Sequence, residues 1–396
     1  MDKFIIEKLG GFEAVKRDHR DWLVGKGEHP ALDYKMRIMP TGNKTEYIIA
    51  SRLDRNKPEL LRCEGFEVIE ESQYFAQESE YQIFEFIDKT NKERGYKFKD
   101  SYKKDLKKLS KKGIKHDIIE LIINSLDDNI VHNIKTFLPE FFVVENFGTR
   151  SGKGFGSYTV KSMIFDNEII TFTSNIDLWL KSNYDFVYKK TCLKDPYSVI
   201  QKDYMLLKSG LSKPKYAKSK LMLYGLSLRE KQRWEKRFIK KQINNVYPTA
   251  DESGDKYKLK DEHKRSTMNN EGNDFYLRAL LGIAEQYEFL LDNPPQNNKN
   301  NKLFVKIKND EIQRYKSPLL FKIIDNTIYL VGNDINNDIL GKSFSCFVTI
   351  QGDDEWIDDG FDKEIEIPKI FSLRDFMSFA MSNNDNDFKL KYTNIK

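Results

Sequence analysis

The sequence predicts an α+β protein of two domains with helical insertions, on three observations. The chain has 396 residues, enough for two domains of ordinary size with real cores. Short apolar or alternating runs bounded by turn residues recur in both halves, as strands require. Between them, apolar residues recur every three or four positions, as on one face of a helix.

At the start, MDKFIIEKLGGF reads as a strand or short helix stopped by Gly10-Gly11, and Ala14 to Val24 as a short helix. Tyr34 to Met39 and Glu46 to Ala50 alternate around Pro40-Thr41-Gly42-Asn43. That predicts a hairpin carrying Lys35, Arg37 and Lys44, either solvated or laid against nucleic acid. Tyr81, Phe84 and Ile87 predict a helix over Tyr74 to Asn91. Lys103, Lys104, Lys107, Lys108, Lys111 and Lys112 recur at helical offsets, with Asp100 or Ser101 as cap and Gly113 as stop. Asp105 is the only acid among them, and like charges one turn apart repel. The face is either solvated or relieved by an anionic partner such as RNA. Ile118, Ile119, Ile122, Ile123, Leu126, Ile130 and Val131 predict an amphipathic helix over Asp117 to Ile134, with Pro139 breaking the chain after it.

Residues Phe141 to Val160 read FFVVENFGTRSGKGFGSYTV. The pattern predicts a buried strand at Phe141 to Val144, a Gly-rich basic loop, and a second strand over Tyr158 to Phe165. Gly148, Gly152, Gly154 and Gly156 let the backbone take positive φ and turn successive N–H groups into one concavity. Arg150 and Lys153 add charge there. Such a loop is either a phosphate cradle or a flexible tip. It is not a P-loop, because Gly154 and not Ser or Thr follows Lys153, and a strand follows where a dinucleotide-binding turn needs a helix.

Beyond it, Thr159 to Phe165 and Glu168 to Thr173 pair around Asp166-Asn167. Asp195 to Gly210 and Lys215 to Asn244 read as mainly helical. In the second, basic residues interleave with Tyr216, Tyr224, Trp234 and Phe238, and Arg233, Arg237 and Lys240 fall on one helical stripe. Residues 249–273 are polar, and Asn293 to Lys302 is of low complexity. Strands follow at Lys302 to Ile307, Ser317 to Ile324, Thr327 to Val331 around Asp325-Asn326, and Ser343 to Thr349, with a helix over Ser372 to Met381.

Composition is globular but polar, 39% hydrophobic and 32% charged, and a net charge of +5 excludes a polycation. The charge is uneven: lysine dominates early, while Asp353, Asp354, Glu355, Asp358 and Asp359 cluster late. Cys63, Cys192 and Cys346 are too far apart for a zinc motif. No signal-peptide core stands at the amino terminus and no apolar run approaches about 18 residues, which predicts no membrane span and a reducing cytoplasm. His19, His29, His116, His132 and His263 are scattered, and no hydrolase or metal-ligand spacing occurs. The pairs Asp127-Asp128, Asp353-Asp354 and Asp358-Asp359 read as solvated acids. Accordingly no catalytic residue, metal or cofactor is assigned; His19 or His29 with Lys26 is the one arrangement that could serve a metal-independent ribonuclease.

GTRSGKGFGS resembles the glycine-rich loop of the RAMP superfamily, the RNA-binding proteins of type III CRISPR effector complexes. Arg314-Tyr315-Lys316-Ser317-Pro318-Leu319-Leu320-Phe321 is similar to the basic, Ser-Pro-Leu strand of one subtype, the first RAMP subunit of the Cmr-type (III-B) complex. Leu280-Leu281-Gly282-Ile283 lies where that subtype has a Leu-Gly segment. The Arg-rich aromatic helix usual near its start is not matched by Arg17 to Trp22 or Arg52 to Arg55. The resemblance implies two ferredoxin-like (RRM-like) domains. These would be 1–174 with the Gly-rich loop and 275–396, with 175–274 as a basic helical insertion. It also implies a non-catalytic subunit that binds the 3′ end of guide RNA, helps capture target RNA in antiviral defence, and assembles with other RAMP subunits. RNA contact then falls to Gly148, Thr149, Arg150, Ser151, Gly152, Lys153, Gly154, Phe155, Gly156 and Ser157, with Lys103, Lys107, Lys111, Arg233, Arg237 and Lys240 adding charge. Relatives that process guide RNA often use a histidine, so a stand-alone metal-independent endoribonuclease is the alternative. A small-molecule or protein-binding module with a structural loop is a third.

Overall fold

Gly10 and Gly11 take left-handed φ values of 94° and 92° and end the first helix, Asp2–Lys8; helix Phe12–Asp18 follows at once. The computed structural model describes residues 1–25, 31–51, 66–68, 81–86, 110–148, 151–172, 175–193, 196–211, 216–246, 272–283, 286–290, 302–312, 314–335, 338–350, 359–382 and 388–396. They form two compact units. The first takes in Met1–Asn183, Cys192–Gln201 and Lys322–Thr327, the second Tyr184–Thr191, Lys202–Phe321 and Ile328–Lys396.

In the first unit the two amino-terminal helices pack on helix Asp128–Val144, sharing a core that includes Ile5, Val15, Trp22, Ile130, Ile134 and Phe141. Asp127 caps that helix, its side chain accepting from Asn129 N–H at 2.8 Å, and Asp128 lies in the first turn, where a carboxylate suits the helix dipole. So this acidic pair is a helix start. The helix runs through Pro139, which is buried with Leu138, Phe141, Val143 and Val144. The predicted break at Pro139 and strand at Phe141 to Val144 are therefore corrected to the end of a helix. Apolar burial outweighs the one hydrogen bond proline forfeits.

The helix predicted over Asp117 to Ile134 is also corrected. Ser110–Asn124 is a strand, and only the last residues of that prediction are helical. Burial alternates along it: Ile119, Leu121 and Ile123 are half-buried while Ile118, Glu120 and Ile122 are exposed. β-Branched isoleucines fit a pleated surface well, and their spacing matched both templates. The strand pairs with Lys35–Ser51, which replaces the predicted hairpin by one continuous strand. A register shift between Thr41 and Lys44, with Gly42 at φ 76°, absorbs the turn-like Pro40-Thr41-Gly42-Asn43. Lys111 pairs with Ile49 and Gly113 with Tyr47, so the carboxyl end of the predicted lysine helix is strand; Lys103 and Lys107 lie outside the described residues. Tyr81–Phe86 is strand where a helix was expected, the rest of that prediction lying outside the described residues. The sheet is antiparallel, in the order Phe66–Val68, Tyr81–Phe86, Lys35–Ser51, Ser110–Asn124.

The hairpin Ser162–Phe165 with Glu168–Thr171 forms as predicted, with Asp166 and Asn167 at φ 51° and 63°, the geometry a two-residue hairpin turn needs. Helix Ile176–Asn183 completes the unit and went unpredicted.

The second unit holds two four-stranded sheets, of whose residues Lys322–Ile324 and Thr327 count with the first unit. One orders Leu319–Ile324, Thr327–Gly332, Phe186–Thr191, Thr393–Asn394; the other, antiparallel, orders Gln286–Leu290, Lys302–Lys308, Ser343–Ile350, Asp359–Glu366. The predicted strands in this region all form. Helix Leu373–Ser382 also forms, burying Leu373, Phe376, Met377 and Ala380 at helical spacing. The predicted helix over Lys215 to Asn244 divides into Lys220–Ser227, a short strand Gln232–Trp234, and Glu235–Val246. Mixed helices and small antiparallel sheets make the chain α+β.

Candidate nucleic-acid interface

The Gly-rich loop springs from the carboxyl end of helix Asp128–Val144, not from a strand, and regular strand resumes only at Ser162. Gly148, Gly154 and Gly156 take left-handed φ values of 80°, 85° and 67°; Gly152 does not. Thr149 and Arg150 lie outside the described residues.

Hydrogen bonds from backbone and side chains at the two ends of the loop close it. Phe147 N–H donates to Gly156 O at 3.1 Å, and the buried Asn146 donates through Nδ2 to Ser151 O at 2.7 Å. Ser157 Oγ lies 2.9 Å from both Asn146 Oδ1 and Gly154 O, and its single hydrogen serves one of them. Gly154 N–H donates to Ser151 O at 3.3 Å. A Cβ on Gly154 would come within 2.9 Å of Ile200 and Ile323, and the Phe155 ring stacks on Tyr197 with centroids 4.5 Å apart. The loop is a built feature with an interior and an exterior. Lys153 is half-buried, its ammonium nitrogen shielded from solvent, so it is not a charge held out into water.

Lys322 also meets this region, and sequence reasoning missed it. It is 0% exposed, and its Nζ donates to Phe142 O and to Glu145 O, the latter at 2.6 Å. These are carbonyls of the helix end, where a cation is favoured. Burial lowers its pKa to about 7, with Glu145 pulling the other way. An unfolded lysine titrates near 10.4, so between about pH 7 and that value unfolding takes up a proton and stability rises with pH. Below about 7 both states are protonated and this contribution is flat, at its least favourable. Stability of Lys322→Met should therefore climb less steeply than wild type between roughly pH 7.5 and 9.5, by up to about 1.4 kcal/mol per pH unit. Urea unfolding at those two values measures it, and equal slopes would contradict the assignment.

The predicted stripe Arg233, Arg237, Lys240 is corrected in part. Arg233 sits on the strand before the helix and pairs with Asp274 at 2.8 Å. Arg237 and Lys240 are half-buried on helix Glu235–Val246, and burial lowers the Lys240 pKa.

Elsewhere in the second unit, two of the quoted motifs meet. Gly282, at φ 100°, has no side chain to separate it from the Ser-Pro-Leu segment. A Cβ there would lie 3.4 Å from Ser317 N and 3.5 Å from Tyr315 O. Tyr204 Oη donates to Leu281 O at 2.7 Å and Lys208 Nζ to Gly282 O at 2.5 Å, fixing the turn. Arg314 and Lys316 are exposed beside it.

His19 stacks on Trp22 with centroids 3.9 Å apart, and His132 is exposed on the long helix. His29 lies outside the described residues. Among the described residues no group of His, Cys, Asp and Glu could hold a metal ion, and no helix is long and apolar enough to cross a membrane.

No curated protein and no solved structure matches the chain. Two family models do: the Cmr1 N-terminal domain over residues 1–211 and the Cmr1 C-terminal domain over residues 216–396. Together they span nearly the whole sequence, in agreement with the Gly-rich loop and the Ser-Pro-Leu strand, and the chain therefore belongs to the Cmr1 family, RAMP-type subunits of the type III-B CRISPR effector complex.

Proposed function

We propose that this chain is a non-catalytic RNA-binding subunit that holds the 3′ end of guide RNA and helps admit target RNA. It does so in the cytoplasm, alongside other RAMP subunits, on a pair of ferredoxin-like domains. The observation that carries the reading is the closed loop Asn146 to Ser157, whose left-handed glycines and cross-loop hydrogen bonds make a preset backbone surface. Oriented main-chain N–H groups suit phosphate and need not read bases. Arg150 supplies positive charge in the same segment.

The test separates binding from cleavage in the assembled complex. Charge reversal at Arg150 should lower target capture by about tenfold, since a lost phosphate contact weakens binding at physiological salt. His19, His29 and His132 replaced together should leave target cleavage and its spacing as in wild type. Loss of cleavage in the triple variant, with RNA binding and assembly intact, would sink this reading and promote the endoribonuclease.

A further inference from the structure

The loop's two ends are both gripped by consecutive residues of one distant strand, Leu319–Ile324. Lys322 Nζ holds Phe142 O and Glu145 O, just before Asn146. Ile323 N–H donates to Ser157 Oγ at 3.1 Å, at the loop's exit. Ser157 Oγ in turn lies 2.9 Å from Asn146 Oδ1, so entry and exit are tied together through one hydroxyl. The Ile323 side chain fills the space against Gly154. Six hydrogen-bonding groups from three segments thus converge on the mouth of the loop.

We propose that Lys322 and Ile323 form a clamp that presets the mouth of the Gly-rich loop, with Lys322 the positioning residue for RNA binding. This rests on the loop's being an RNA-backbone contact. Three features support it. A fully buried lysine is costly unless its donors are used, and here two are spent on carbonyls that the helix itself leaves unpaired. The partners are backbone atoms, so what Lys322 fixes is the path of the chain. A backbone cradle binds phosphate well only when its N–H groups are already aimed, because ordering a loop on binding subtracts from affinity.

Lys322→Met keeps an unbranched side chain, one atom shorter, and removes its donors. Hydrogen exchange of the full chain without RNA should show the Phe147 and Gly154 amides opening about tenfold faster or more, while strand Lys302–Lys308 is unchanged. Single-stranded RNA of about 20 nucleotides should bind roughly tenfold more weakly, with the slope of log affinity against log salt unchanged, because no phosphate contact is deleted. Wild-type exchange at Phe147 and Gly154 would overturn the clamp. A salt slope reduced by about 0.7 would make Lys322 a direct phosphate contact and overturn the positioning role. Should Lys322→Met not fold, Ser157→Ala decides. It removes the acceptor of Ile323 N–H and must speed exchange of that amide together with Gly154, or the clamp is wrong. Faster exchange in Lys322→Met with RNA affinity untouched, in a protein whose Gly156→Val variant also binds normally, overturns the positioning role together with the RNA reading. An inert Lys322→Met overturns the clamp alone.

Discussion

Replacing Gly156 with valine is expected to weaken RNA loading about tenfold or more while the first unit still folds. Gly156 sits at φ 67°, and a Cβ there would lie 1.9 Å from Phe147 O and 2.7 Å from Phe147 C. Those are backbone atoms, so no rotamer change relieves the clash. The bond from Phe147 N–H to Gly156 O must break, and with it the closure of the loop. A left-handed φ costs a β-branched residue a further 1–2 kcal/mol or so. On the proposed RNA reading, losing one charge-assisted backbone contact to phosphate, worth about 1.5–3 kcal/mol, corresponds to roughly tenfold or more in affinity. Gly154→Val should be milder, since its close neighbours are the tips of Ile200 and Ile323, which can swing aside. Gly152→Ala should bind nearly as wild type, because Gly152 does not use the left-handed region. Electrophoretic shift of guide RNA by the three variants, with far-UV circular dichroism as the folding control, measures the series. Wild-type loading in Gly156→Val would show that the loop does not carry RNA.

The order of these effects could not be read from glycine spacing. The sequence marks four glycines in the loop, and only the backbone shows which of them are left-handed and what each faces. Local turn chemistry was legible where two adjacent residues decide it, as at Asp166-Asn167 and Asp325-Asn326. Strands of the second unit were legible because their apolar runs are short and bounded by turns. The isoleucine run 118–123 was misread because it satisfies helical and strand spacing alike, and pairing with a partner far away in sequence settles it. Pro40 and Pro139 were misread as breakers, since tertiary pairing and burial override a local preference. Lys322 gave no signal at all. A lysine directly after a motif looks like any other strand lysine, and its role depends on carbonyls 177 and 180 positions away.

Arg278→Met should be the most destabilising single change in the second unit. Glu235, the first residue of helix Glu235–Val246, is 0% exposed. Its Oε1 accepts from Arg278 Nε at 2.5 Å and from Tyr287 Oη at 3.0 Å. The guanidinium lies over the Tyr287 and Trp234 rings, 4.1 and 5.1 Å from their centroids, so Arg278 contributes packing as well as charge. Burial first, and then Glu235, pushes the Tyr287 hydroxyl well above its ordinary value, leaving it a neutral donor at any physiological pH. The pair as a whole adds little net stability, because both groups were taken out of water to make it. Removing one member is different, because a carboxylate without its cation then remains in the core. That loss is expected at about 3–5 kcal/mol. Arg278→Met with Glu235→Gln should recover most of it, since the uncompensated charge goes too. Urea midpoints of the two single variants and the double variant give the coupling directly. A single variant within about 1 kcal/mol of wild type would mean that Glu235 does not depend on Arg278. The loss should also reach the basic helix, because Glu235 anchors its first turn, Arg237 stands on that turn and Lys240 on the next. Hydrogen exchange of Ile239 and Ile243, both fully buried on that helix, should quicken in Arg278→Met and return in the double variant.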